Sequence, residues 1–317
     1  MSHSIMPAEV RISGAHDGPP WPLNIMNTPD GEVLLYSAGP GEGANLRCWN
    51  AKTGEPVWRA GDFFSSYECN GIASLVQRGS RVVVATATDS GVFRWEAANG
   101  RRLDTSIDAP NMHFWGICGG VSRRGQAMLV AAGHDGMVYR LDPADGRLFG
   151  APLKGHEGSV MSVAFGALPD GTHLIASGDD TGTVMFWEAD SGSAVNTPVI
   201  VGGDAVRNLA FCHVGQRAAI AAVDIEGQIH CRDILTSEPL GPVIQVDAVV
   251  TSLATPQTWG QIITACDDEV LRQWDLASGE LVDDSLVGIS ASSAPLGDGM
   301  SVLAVGTLAG DILVKSR

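Results

Sequence analysis

Two imidazoles and an indole, His113, Trp115 and His134, form the densest grouping of chemistry-bearing side chains in this 317-residue chain. An imidazole titrates near neutrality and can pass a proton in either direction when a carboxylate lies close to it. Asp179 and Glu68 are the carboxylates expected to orient these rings, so a proton-transfer site built on His113, His134 and Asp179 is one chemistry the residues could perform. The other is binding. Glu68, Asn70, Trp115, Met161, Arg207 and Asp267 would combine apolar walls, which supply affinity, with a few polar groups that fix orientation. A metal site is not expected, because the histidines show no His-x-x-x-His or similar spacing. The sequence contains no phosphate-cradling Gly-x-x-x-x-Gly-Lys-Ser/Thr, no Gly-x-Ser-x-Gly nucleophile elbow and no His-Glu-x-x-His, and no motif implies a cofactor.

These side chains are far apart along the chain, and a repeat must bring them together. A tryptophan followed by an acidic or amide residue recurs at Trp49-Asn50, Trp95-Glu96, Trp187-Glu188 and Trp274-Asp275. The same apolar alternation surrounds Leu141-Asp142, Arg232-Asp233 and Lys315-Ser316, which gives anchors at 49, 95, 141, 187, 232, 274 and 315. Self-similarity at this period signals a repeat architecture. In the clearest unit, 160–165, 173–177 and 183–187 alternate as strands, separated by Pro169-Asp-Gly171 and the tight turn 178–182, and Ser191-Gly192 leads into a fourth strand around Val195. Four short strands per unit and seven units describe an all-β, seven-bladed propeller of four antiparallel strands per blade, a single domain over residues 1–317. The last unit supplies three strands before the chain stops. Glu9-Val-Arg-Ile12 is the expected fourth, pairing into that blade and removing an open edge.

The chain resembles the WD-repeat β-propeller family, and the resemblance covers its whole length. It is carried best by the fourth unit, through Gly155-His156, Ser177, Asp180 and Trp187-Glu188. The resemblance implies that His156, Ser177, Asp180 and Trp187 form a hydrogen-bonded clamp across one blade; satisfied buried polar groups of this kind rigidify a fold. His16 is the candidate opening histidine of the first unit, whereas the second, fifth and sixth units show none, and Arg232 and Lys315 replace the tryptophan. His230 reads as an ordinary packing histidine. Taking Ser159, Met161 and Asp179 of the fourth unit as the positions that reach one face assigns Asn70 and Thr88, His113, Trp115 and His134, Arg207, and Thr251 and Asp267 to that face in other units. His134 is there matched with Asp179, and Asp135 with the turn aspartate Asp180.

A net charge of −16 and a pI near 4.7 argue against nucleic acid and anionic membrane surfaces as partners and favour a cationic one. Hydrophobic residues at 44% against 18% charged are those of a folded domain. Six scattered cysteines without paired spacing suit a reducing compartment, and no signal-like or membrane-spanning apolar run opens the chain, so a cytoplasmic location is the expectation. The resemblance implies a non-catalytic platform for a peptide, protein or small ligand. The alternative is a small-molecule enzyme, a cyclase, isomerase or hydrolase, using the His/carboxylate/Trp grouping on the same face. Turns such as Phe149-Gly-Ala-Pro-Leu153 resemble those of bacterial, especially actinobacterial, repeats of the family.

Overall fold

Each anchor residue sits on a strand directly opposite an aliphatic residue of its neighbour: Trp49 on Leu35, Trp95 on Val84, Leu141 on Leu129, Trp187 on Ile175, Arg232 on Ile220, Trp274 on Ile262 and Lys315 on Leu303. The computed structural model describes residues 6–39, 46–60, 69–77, 79–103, 107–108, 113–256, 260–297 and 300–316. The described residues form seven four-stranded antiparallel sheets, the blades of a propeller. The fourth blade, for example, runs from an inner strand Val160–Ala167 through His173–Asp179 and Thr183–Glu188 to an outer strand Ala194–Ile200.

The second strand of each blade has apolar neighbours on both faces, and Leu174–Asp179 are buried without alternation. The core lies between blades. Leu174, Ala176, Val184 and Phe186 of the fourth blade pack against Val206, Ala218, Ile220 and Ala222 of the fifth, and the same layer recurs around the ring. Close approach of adjacent inner strands needs glycine: a Cβ at Gly166 would collide with the ring of Phe211, and one at Gly120 with Phe165.

The ring closes as the sequence predicts. Glu9–Ile12 pairs antiparallel with Ile312–Ser316 in register Glu9↔Lys315 to Ile12↔Ile312, making the outer strand of the blade that also holds Ser290–Gly297 and Met300–Gly306. Glu9 and Lys315 add an ion pair of 3.2 Å across this seam. Hydroxyls join inner strands of neighbouring blades: Ser292 accepts from Ile25 N at 3.2 Å, Ser252 from Ala291 N at 2.9 Å, and Ser162 donates to Val206 O at 2.8 Å.

Candidate functional site

Five inner strands begin with a one-residue irregularity of register. It falls between Cys69 and Gly71, Phe114 and Gly116, Val160 and Ser162, Val206 and Asn208, and Val250 and Ser252. The extra residues are Asn70, Trp115, Met161, Arg207 and Thr251, one from each of the second to sixth blades. A bulge leaves its extra residue unpaired and re-aims its side chain. All five line one cavity of about 680 Å³ where the inner strands start, and Trp21, Asn24, Leu209 and Ile289 add further wall. The indole N–H groups are spent at the rim, Trp21 donating to Thr251 O at 3.4 Å and Trp115 to His134 Nδ1 at 3.3 Å, which leaves ring faces for a ligand.

Four residues expected to bind a ligand, Asn70, Trp115, Met161 and Arg207, are thus brought together in this cavity, with Thr251, which the sequence also assigned to the face. Glu68 lies outside the described residues. Asp267 is exposed on the rim, where its carboxylate accepts from Val249 N at 3.0 Å, and it is not part of the cavity lining.

His113 and His134 also stand on the rim. Their rings meet edge to face at 5.9 Å, and the backbone N–H of His134 donates to the carbonyl of His113 at 2.9 Å. Because indole N–H can only donate, Nδ1 of His134 is the acceptor and the proton sits on Nε2; the Ser159 hydroxyl converges on the same Nδ1 at 3.1 Å. The carboxylate nearest His113 is Asp89, at 3.6 Å, held in turn by Asn70 Nδ2 at 2.8 Å. Sequence alignment passed over Asp89 in favour of its buried neighbour Thr88; the signal that could have found it is its place directly before a tight turn into a strand. Among the described residues, no group of three or more His, Cys, Asp or Glu side chains is arranged to hold a metal ion.

Asp179 does not join these histidines, which corrects its expected catalytic role. It is fully buried and accepts from His156 Nδ1 at 2.8 Å, Thr181 N at 2.9 Å, Thr181 Oγ1 at 2.7 Å and Thr183 N at 2.9 Å. Burial alone would push its carboxyl up, but these donors outweigh it and bring the pKa down to about 2. The clamp therefore runs Trp187 Nε1 to Ser177 Oγ at 2.8 Å, Ser177 to His156 Nε2 at 2.7 Å, and His156 to Asp179. Asp180, expected in that place, is exposed. Side chains alternate along an extended strand end, so moving by one residue exchanges the core for solvent.

The same slip misplaces His134. Its N–H bonds the entry loop as that of Asp180 does, so His134 matches Asp180, and Gly133 matches Asp179. The Asp135 carboxylate fills the space beside Gly133 and accepts from Tyr139 OH at 2.6 Å. In the fifth blade Asp224 occupies the clamp position and contacts His230 Nε2 at 3.2 Å, so His230, reaching over from the third strand, is a polar partner and not a packing residue. In the first blade the chain of bonds is Trp49 to Ser37 at 2.9 Å and Ser37 to His16 at 2.8 Å. There it stops, because Gly39 stands where the aspartate would be. Burial first, and the Arg47 charge second, lower the His16 pKa to about 4 against the opposing pull of Asp17.

Comparison with known proteins places this geometry among its relatives. A family model described as the WD domain, G-beta repeat, matches residues 148–188, and one described as outer membrane protein assembly factor BamB matches residues 24–160. No curated protein matches the chain significantly. Among solved structures, the computationally designed Ika8 protein superposes with a TM-score of 0.63 over 95% of this chain and 97% of its own, at 16% identity, a likeness of fold alone. The clamp of the fourth blade lies inside the WD-repeat match, and the other six blades are likewise four-stranded antiparallel sheets; in this blade and in its ring of seven the chain is similar to WD-repeat β-propellers.

Proposed function

We propose that this propeller is a non-catalytic binding module that takes a cationic peptide segment of a protein partner across the mouth of its central cavity. The observation that carries the reading is the row of five bulges, which aims five chemically different side chains, Asn70, Trp115, Met161, Arg207 and Thr251, into one open cavity of about 680 Å³. Bulges of this kind bend a strand end and expose what it carries, at no cost to the inter-blade core. The surrounding rim favours a cationic partner: Glu157, Asp180, Asp204, Glu226, Asp247 and Asp267 are all exposed on the fourth to sixth blades. Carboxylates in such number attract basic segments over about a Debye length, roughly 8 Å at physiological salt.

The enzyme alternative has less support. Neither His113 nor His134 lines the cavity, Nδ1 of His134 is occupied, and Asp179, one of the two carboxylates expected to serve these rings, is spent inside the fourth blade. A random peptide array probed with the wild type and with the Trp115→Ala/Met161→Ala double variant tests the binding reading. Basic peptides should be retained by the wild type and released by the double variant; an array with no retained peptide, or one on which both proteins score alike, overturns it.

A further inference from the structure

The cavity and its rim differ in charge. The rim is acidic and the chain as a whole carries −16, yet the one charged side chain among the described residues lining the cavity is a cation, Arg207. Arg207 carries no hydrogen bond or ion pair among the described residues, although exposed carboxylates stand on its own blade at Asp204 and on the blades either side at Asp180 and Asp267. A guanidinium surrounded by carboxylates commonly captures one of them, since a paired fork is stabilised both by charge and by two parallel hydrogen bonds. Here the bulge between Val206 and Asn208 turns Arg207 away from those carboxylates and into the cavity. Asn208, which follows it on the strand and also lines the cavity, has a side-chain amide without a protein partner among the described residues.

Most of the remaining wall is apolar or engaged with protein groups. Ser162 and Thr251 donate their hydroxyls to backbone carbonyls, Ser252 and Ser292 accept from backbone N–H groups, and Asn24 and Asn70 bond Ser74 and Asp89, while Leu23, Ile72, Ile117, Leu209 and the two indole faces offer only apolar surface. A ligand group that fits must bring an anion for Arg207 and an apolar body for the walls.

We infer that the group entering the cavity is the C-terminal residue of the bound peptide, apolar in its side chain, with its free carboxylate on the Arg207 guanidinium and the Asn208 amide. This rests on the binding reading above and adds to it a polarity. Basic residues of the segment lie across the acidic rim, and the chain end turns inward to Arg207.

The test uses two synthetic arrays of the same basic peptides ending in Leu or Phe, one with free C-termini and one with C-terminal carboxamides, followed by titration of the best pair in solution. The wild type should bind the acid at least tenfold more tightly than the amide. Arg207→Gln should erase that preference with an unchanged melting temperature, and Arg207→Lys should keep part of it. Equal binding of acid and amide, or a preference that survives Arg207→Gln, overturns the assignment while leaving the binding module intact, because face-dependent peptides would still be retained. If neither array retains any peptide, the assignment falls together with the reading beneath it.

Discussion

One residue per blade decides how the polar clamp is made. The position held by Asp179 in the fourth blade is Gly39, Thr88, Gly133, Asp224, Cys266 and Thr307 in the others. Where it is aspartate, a histidine reaches it, from the entry loop as His156 or from the third strand as His230. His156→Ala or Asp179→Asn should therefore destabilise the protein by ~1–3 kcal/mol, the cost of leaving a buried partner unpaired, whereas Asp180→Ala should stay within about 0.5 kcal/mol of wild type. Denaturant titration of the three variants separates them, and equal effects at 179 and 180 would refute the clamp assignment. His16 adds a pH dependence. Its pKa is lowered from 6.5 to about 4 on folding, so the unfolded chain binds the extra proton. Stability is therefore full above pH 6.5 and falls as pH drops toward 4, by about 2–3 kcal/mol if His16 acts alone. Asp179 contributes a later loss, from pH 3.8 down to about 2. His16→Gln should flatten the melting temperature between pH 6.5 and 4 and leave the more acidic loss in place.

At the scale of the element, the inner strand carries two unlike tasks. Its first residues bulge to present Asn70, Trp115, Met161, Arg207 and Thr251, and its later residues pack edge to edge with the next blade. Substitutions at Trp115, Met161 and Arg207 should leave stability within about 0.5 kcal/mol, since these side chains are at the surface of the cavity and not in the core, whereas Asn70 and Thr251 also bond the next blade. Gly166→Ala should cost about 1–3 kcal/mol, because the new methyl collides with the root of the Phe211 side chain, at Cβ and Cγ, and not with a flexible far end; a melting curve identical to wild type would show that the blades can spread. The face positions were legible in sequence, since Asn70, Trp115, Met161 and Arg207 were all found by matching units. The bulges behind them were not, because a period of two presumes regular pairing and a one-residue insertion leaves no compositional mark.

For the whole molecule, the seam between the termini sets the cooperativity of the ring. Glu9–Ile12 covers the edge of the last blade, and Ile12 is buried in the cluster that joins that blade to the first. Deleting residues 1–13 should lower the melting temperature sharply and broaden the transition, and a truncated protein that melts with the wild type would refute the closure. The charge distribution acts at the same scale. A partner held by the acidic rim should bind less tightly as salt rises from 0.05 to 0.5 M, by about tenfold or more for a segment with several basic residues; a salt-independent affinity would assign the binding to the cavity walls alone.

Sequence by itself determined the number of blades, their four-strand build and the identity of the closing strand. These follow from a repeat whose apolar alternation can be counted and whose unpaired first strand needs an edge. It also brought His113, Trp115 and His134 to one rim, since the start of the first strand and the turn after the second strand of the same unit lie at the same end of the blade. Tertiary structure decided which of Asp179 and Asp180 enters the clamp and that His230 completes one. It also decided that Arg207 is the one charged side chain among the described residues lining a cavity whose rim carries carboxylates. Each of these depends on a one-residue choice of side at a turn or a bulge. That choice is settled by contacts with another strand or blade, and no local pattern in the chain encodes it.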